Sequence, residues 1–158
     1  TGEIPGAGLL RQLQRLASFL ASIQILLLLR ELQKEFGMGV IFVTHDIGVA
    51  VEVSDRIAVM YAGDIVETGT TRDVIKNPRH PYTKGLLAAN LHGAAKGARL
   101  DAIPGSPPAL EQAPSACSFA PRCAFARPAC TEGLPPVTDI GNGHQVTCVL
   151  EAQENVPA

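Results

Sequence analysis

Tryptophan is absent from the 158 residues, and aromatic residues make up only 4% of them. A surface that stacks nucleic-acid bases therefore has little to be built from. A basic field is missing too: 13 Lys and Arg stand against 15 Asp and Glu, for a formal net charge of −2, which argues against a nucleic-acid partner. The longest apolar run, Phe19 to Leu29, has 11 residues and is interrupted by Gln24. A bilayer-spanning helix needs roughly 20 apolar residues, so no membrane span of its own is expected. No internal repeat is visible. The first residue is Thr1 and not Met, which reads as a fragment or a processed chain, and no signal peptide is apparent.

What is present is distributed unevenly. A hydrophobic content of 46% is ordinary for a soluble globular protein, and the length suffices for one domain and its core. Residues 1 to about 90 are apolar and patterned like helices and strands. Residues 101–158 hold most of the prolines and all four cysteines. That second part has too few large apolar residues for a conventional core, so something else must hold it together.

Thr1 to Gly8 reads as a leader. Leu9 to Phe36 reads as a helix, rich in good helix formers, with Leu9, Leu13, Leu16 and Leu20 on one face. Leu26 to Leu29 is apolar all round, which predicts a buried turn, and Gly37 and Gly39 stop the helix. Val40 to Val43 is a short apolar run, three of its four residues β-branched, that leads into Thr44 with the pattern of a strand buried on both faces of a mostly parallel sheet. It ends in Thr44, His45 and Asp46. Ligands in open α/β sheets sit outside the carboxyl ends of strands, which makes His45 a candidate site residue. The plainer account is that Thr44 and Asp46 cap the following helix, Ile47 to Ser54.

Arg56–Met60 and Asp64–Glu67 read as strands joined by a tight turn at Tyr61–Gly63, with Gly69 ending the pair. Thr70 or Thr71 caps a helix that Asn77–Pro78 terminates. Pro81 opens another, Tyr82 to Asn90. Leu91 to Arg99 reads as a linker, and Ile103 to Pro108 as a stiff polyproline-like connector. A strand over Val146 to Leu150 and a loose tail from Glu151 complete the chain.

Cys117, Cys123, Cys130 and Cys148 are spaced C-x5-C-x6-C-x17-C. No C-x2-C knuckle is present, so an ordinary zinc ribbon fits poorly. Three readings stay open on spacing alone: an Fe–S cluster with four thiolates, a structural zinc, or two disulfides. Arg122 and Arg127 lie close in sequence and would favour thiolates. His144 is a conceivable substitute ligand, though a lone loop histidine is more often solvated.

Val40 to Asp55 followed by "RIAVMYAGDIVETG" resembles the switch-histidine region of ABC transporter ATPases. "NPRHPYTKGLLAA" (Asn77 to Ala89), "IPGSPP" (Ile103 to Pro108) and the four cysteines narrow this to the C-terminal part of the oligopeptide/dipeptide-type importer ATP-binding proteins. The resemblance implies an α/β fold: a partial ABC-ATPase sheet-and-helix core over 24–90, after a divergent segment 1–23, and a Pro/Gly-rich cysteine-containing extension over 91–158. It implies that His45 serves catalysis and nucleotide binding at the γ-phosphate. ATP and Mg would be the cofactors of the intact protein, and a second ATPase subunit and transmembrane permease subunits its partners. Its location would be peripheral, at the cytoplasmic face of the inner membrane. For Cys117, Cys123, Cys130 and Cys148 it implies a [4Fe-4S] cluster, with zinc as the alternative. The Walker A, signature and Walker B motifs of the family are not found in this sequence, so the chain alone is expected not to hydrolyse ATP. The other reading is a non-hydrolysing regulatory or metal-binding module.

Overall fold

The computed structural model describes residues 24–92, 103–108 and 114–154. The chain divides into two compact units, Thr1–Val53 and Ser54–Ala158. The expected leader, the divergent segment 1–23 and the first half of the long helix lie outside the described residues.

In the first unit, helix α1 covers residues 24–36 and stops where Gly37 takes a left-handed φ of 62°, as expected of a glycine past a helix end. Helix α2 is Ile47–Val53. Two expectations fail here. Leu27 and Leu28 are 56% and 58% exposed instead of buried. Val40 to Thr44 is not a strand, and Ile41 is 95% exposed. A run that is apolar on both faces becomes a buried strand only between two neighbouring strands, and the described part of this unit supplies none.

The second unit is built on a four-stranded sheet of order β1-β2-β4-β3, with β1 Arg56–Tyr61, β2 Asp64–Thr70, β3 Val137–Asp139 and β4 Gln145–Thr147. All three pairings are antiparallel. The described sheet is thus not the mostly parallel one that the run at Val40 suggested. Ala62 and Gly63 turn β1 into β2 with φ of 49° and 87°, the left-handed pair that a two-residue hairpin requires. Gly69 does not end β2 but lies inside it. It is hemmed in: a Cβ there would stand 3.2 Å from the His144 ring and 3.2 Å from Val74.

Helix α3, Thr71–Lys76, is capped by Thr70, whose Oγ1 accepts from the Asp73 amide. Helix α4, Pro81–His92, opens on the proline as expected and runs into the expected linker, whose residues 93–99 are outside the described set. The cysteine-bearing part contributes a 3₁₀ turn at Ala120–Arg122, a short α5 at Ala129–Glu132, the hairpin β3–β4, and α6 at Val149–Glu154. The expected loose tail is therefore helical to Glu154, and Glu151 is buried.

The core explains how a segment poor in large apolar residues stays folded. Val59, Tyr61, Val66, Val74 and Phe119 form one buried cluster. Phe119 comes from the cysteine-bearing part and sits among the rings of Tyr61, Tyr82 and His80, at centroid distances of 5.2, 5.4 and 5.8 Å. Val146 of β4 is fully buried. The later segment thus completes a core begun by the β1–β2 hairpin, where aromatic pairs add to plain burial.

Candidate functional site

His45 lies on a turn whose neighbours serve the backbone. Thr44 Oγ1 accepts from the Asp46 amide at 3.0 Å, and Asp46 Oδ1 accepts from the Val49 amide at 3.1 Å. Asp46 is thus the N-cap of α2, satisfying one of its unpaired amides. His45 itself is exposed, which leaves its ring available to a ligand.

The four cysteines, all free thiols, belong to the second unit; Cys130 and Cys148 are buried and the other two half-buried. The Cys117 amide donates to the Cys130 carbonyl at 3.1 Å, tying the first loop to the third. Burial raises the Cys123 thiol above its usual range; the Phe125 amide at its sulfur pulls it back, and Cys117 and Cys130 push it up further. Burial likewise raises Cys148, against the amides of Leu150 and Glu151, with Cys117 and Cys123 adding to the rise. Three of the sulfurs receive a backbone N–H, counting Arg127 to Cys130 at 3.4 Å. Among the described residues, no three His, Cys, Asp or Glu side chains are close enough to share one metal ion.

Of the two arginines expected to favour thiolates, Arg122 does something else. Arg122 donates from Nε to the Pro104 carbonyl at 2.7 Å, from Nη2 to the Ile103 carbonyl at 3.1 Å, and from Nη1 to the Tyr61 hydroxyl at 3.2 Å. Its fork holds the 103–108 connector against β1, and the planar five-donor geometry of Arg suits that task. Ile103 packs on the helix as well: a Cβ at Gly85 would lie 3.1 Å from it.

A buried polar cluster that sequence reasoning missed lies beneath the start of α4. Glu67 is 1% exposed. Its Oε1 accepts from the Arg79 amide at 2.9 Å and meets His144 Nε2 at 2.8 Å, while Oε2 accepts from the His80 amide at 2.9 Å. An ionised carboxylate only accepts, so His144 Nε2 carries the hydrogen. His144 is buried and paired, contrary to the expectation of a solvated loop residue. His80 Nδ1 accepts from the Tyr82 amide at 3.1 Å, and burial lowers its pKa from 6.5 to about 4, outweighing the opposite pull of Glu67. His80 is thus a neutral N-cap. The dipeptide His80–Pro81 carried that signal, since proline marks the first helical residue and the cap precedes it. Nothing in the pattern of β2 marks Glu67 as buried.

Over residues 66–130 the sequence matches the family model described as the oligopeptide/dipeptide transporter, C-terminal region. A Brucella ovis protein named for peptide import and ATP binding is 48% identical over 132 residues, 80% of this chain and 39% of that protein. The dipeptide transport ATP-binding protein DppD of Bacillus subtilis is 44% identical over 130 residues, 82% of this chain and 39% of that protein. The oligopeptide transport ATP-binding protein OppD of Salmonella typhimurium is 41% identical over 131 residues, 83% and 39% respectively. The chain carries the C-terminal region of this peptide-transporter ATP-binding family. It spans 39% of the length of these curated relatives.

Within the oligopeptide/dipeptide transporter region lie Glu67, the His80 cap, Tyr82, Phe119, Arg122 and three of the four cysteines. Cys148 and His144 fall outside the matched residues, yet both are buried, and His144 meets Glu67 of the matched region. Among the described residues, no helix is long and apolar enough to cross a membrane.

Proposed function

We propose that this chain acts as the C-terminal part of the ATP-binding subunit of an ABC importer for peptides, of the di/oligopeptide or nickel type. In the intact protein it would help couple ATP hydrolysis to uptake, at the cytoplasmic face of the membrane, beside a second ATPase subunit and permease subunits. The observation that carries this is the 41–48% identity to peptide-transport ATP-binding proteins over about four-fifths of the chain. Residues 24–90 would form the last portion of the nucleotide-binding domain and 91–158 its extension.

In this account His45 touches the γ-phosphate. Phosphoryl transfer depends on positioning and on stabilising charge on phosphate oxygens, and an exposed imidazole on a turn fixed by Thr44 and Asp46 can supply one donor. The groups that cradle the other phosphates and Mg are not in this sequence, so the chain alone does not turn over ATP. Uptake of labelled dipeptide tests the proposal, in cells where residues 24–154 replace the matching region of the Bacillus subtilis dipeptide transport ATP-binding protein. Restored uptake is expected. An assembled transporter without uptake would contradict it.

Cys117, Cys123, Cys130 and Cys148 would hold a [4Fe-4S] cluster in preference to zinc. What supports the reading is the donor set: four free thiols, two of them buried, lie in one compact unit, with the Cys117 amide on the Cys130 carbonyl and the Arg127 amide at the Cys130 sulfur. In such a cluster each thiolate binds its own iron, so the ligands need not converge on one point as zinc demands. The cluster would supply covalent cross-links to a segment short of apolar residues; the chain's own residues bind it and exclude water. Iron, sulfide and zinc analysis of anaerobically purified protein tests this, and four free thiols with no metal would overturn it.

A further inference from the structure

A small polar cavity lies between the end of α3 and the turn that joins β3 to β4. Asp73, Asn77 and Arg79 line it from one element, residues 140–142 and His144 from the other, around a volume of about 240 Å³. Drug-sized sites begin at roughly 300 Å³, so the cavity suits something smaller. His144 is 5% exposed. Its Nε2 meets Glu67 Oε1 at 2.8 Å, and its Cγ–Cδ2 edge packs on Gly69. The Nδ1–Cε1 edge is left for the cavity. Among the described residues, no hydrogen bond reaches Nδ1. With Nε2 carrying the hydrogen, Nδ1 of the neutral ring is an acceptor, and a carboxylate on the far nitrogen raises its basicity. Asp73 adds a second acceptor: Oδ2 takes the Thr70 hydroxyl at 2.7 Å, while Oδ1 has no partner among the described residues. Donors line the same space. Arg79, whose Nη1 meets Glu151 at 3.5 Å, brings a guanidinium. The Asn142 amide stays unbonded, because the turn closes through His144 N–H on the Gly141 carbonyl and Gly141 N–H on Asp139.

The mixture of signs narrows the ligand. A simple anion would meet the Asp73 carboxylate and a bare Nδ1, and a simple cation would meet the Arg79 guanidinium. A primary ammonium carries three donors for the two open acceptors, and a carboxylate joined to it offers charge-assisted bonds to Arg79 and to the Asn142 amide. We propose that this cavity binds a small zwitterion, an α-amino acid or a short peptide, with its ammonium at His144 Nδ1 and Asp73 Oδ1 and its carboxylate toward Arg79. Glu67, buried behind the ring, fixes which nitrogen is left bare. The site uses neither His45 nor a cysteine, so its test does not depend on the transport reading or on a metal.

Nuclear magnetic resonance on the isotope-labelled full chain tests it, with L-alanine, L-alanyl-L-alanine, ethylamine and acetate as separate probes. The readouts are the ring nitrogens of His144 and the amides of Arg79 and Asn142. At least one of the two zwitterions should shift all three saturably, with Nδ1 moving as an acceptor does on gaining a hydrogen bond; the tighter of the two identifies the source. Ethylamine and acetate each carry half of the charges and should bind roughly tenfold more weakly or worse. Asp73→Asn keeps an oxygen for the Thr70 hydroxyl but loses the charge, and should weaken the zwitterion roughly tenfold. Asn142→Gly keeps the amide and suits the left-handed φ of 56° at that position, so affinity should stay within about twofold. No saturable shift with either zwitterion overturns the proposal. So does ethylamine or acetate binding as tightly as the zwitterion, or an unchanged affinity in Asp73→Asn. If Asp73→Asn does not fold, the comparison of the four probes on wild type decides alone.

Discussion

Acid should weaken the second unit through one histidine. His80 caps α4 with Nδ1, the atom that would take up a proton, and burial lowers its pKa from 6.5 to about 4. The unfolded chain therefore accepts a proton near pH 6.5, the folded chain only near pH 4. Below the upper value the unfolded state binds more protons, so stability falls as pH falls. The contribution is complete above pH 6.5 and lost as pH drops to 4. Combining the two equilibria gives a loss of about 2 kcal/mol by pH 5 and a ceiling of about 3 kcal/mol. His80→Asn keeps a side-chain acceptor at the cap and removes the titration. The assay is urea unfolding followed by tyrosine signals, since the two tyrosines, Tyr61 and Tyr82, sit 4.7 Å apart in the core cluster and report on this unit. Between about pH 7 and about pH 5, wild type should lose about 2 kcal/mol more than His80→Asn. Parallel losses in the two proteins would refute a buried neutral His80.

Three further outcomes follow from the same packing. Glu67→Ala leaves two amides and His144 without their acceptor and should cost about 3–5 kcal/mol in urea unfolding; a loss below about 1 kcal/mol, the scale of an exposed pair, would contradict the buried network. Gly69→Ala presses a methyl against the His144 ring, which Glu67 holds in place, and should cost about 1–3 kcal/mol as overpacking, measured by thermal unfolding. Arg122→Lys cannot reach two carbonyls and a phenol at once, so amide exchange over residues 103–108 should quicken while that of β2 stays unchanged.

Much of the local structure was legible because its signals are local. The turn at Ala62–Gly63, the Thr70 cap, the stop at Asn77–Pro78 and the proline start of α4 each depend on a few adjacent residues. Asp46 as a cap was legible for the same reason. Partners distant in sequence were not. Glu67 looks like an ordinary polar strand residue until the chain returns 77 residues later with His144. Arg122 lies beside cysteines in sequence, yet the carbonyls it reaches lie 18 and 19 residues upstream. The run at Val40 illustrates the reverse error: its composition predicts a buried strand, but a strand also needs neighbours, which no single stretch supplies. Of the candidate site residues, the cysteines could be named from sequence. That Cys148 is buried at the junction of β4 and α6, and that the Cys117 amide bonds the Cys130 carbonyl, appear only once the chain is folded.

The most direct test of the proposed function is ATP hydrolysis by a purified importer in which residues 24–154 replace the matching region of the Bacillus subtilis dipeptide transport ATP-binding protein. The account predicts that this importer hydrolyses ATP and that His45→Ala lowers kcat by about a hundredfold or more, the loss of one donor to developing charge. An assembled complex that does not hydrolyse ATP, or one whose turnover His45→Ala leaves unchanged, would contradict it.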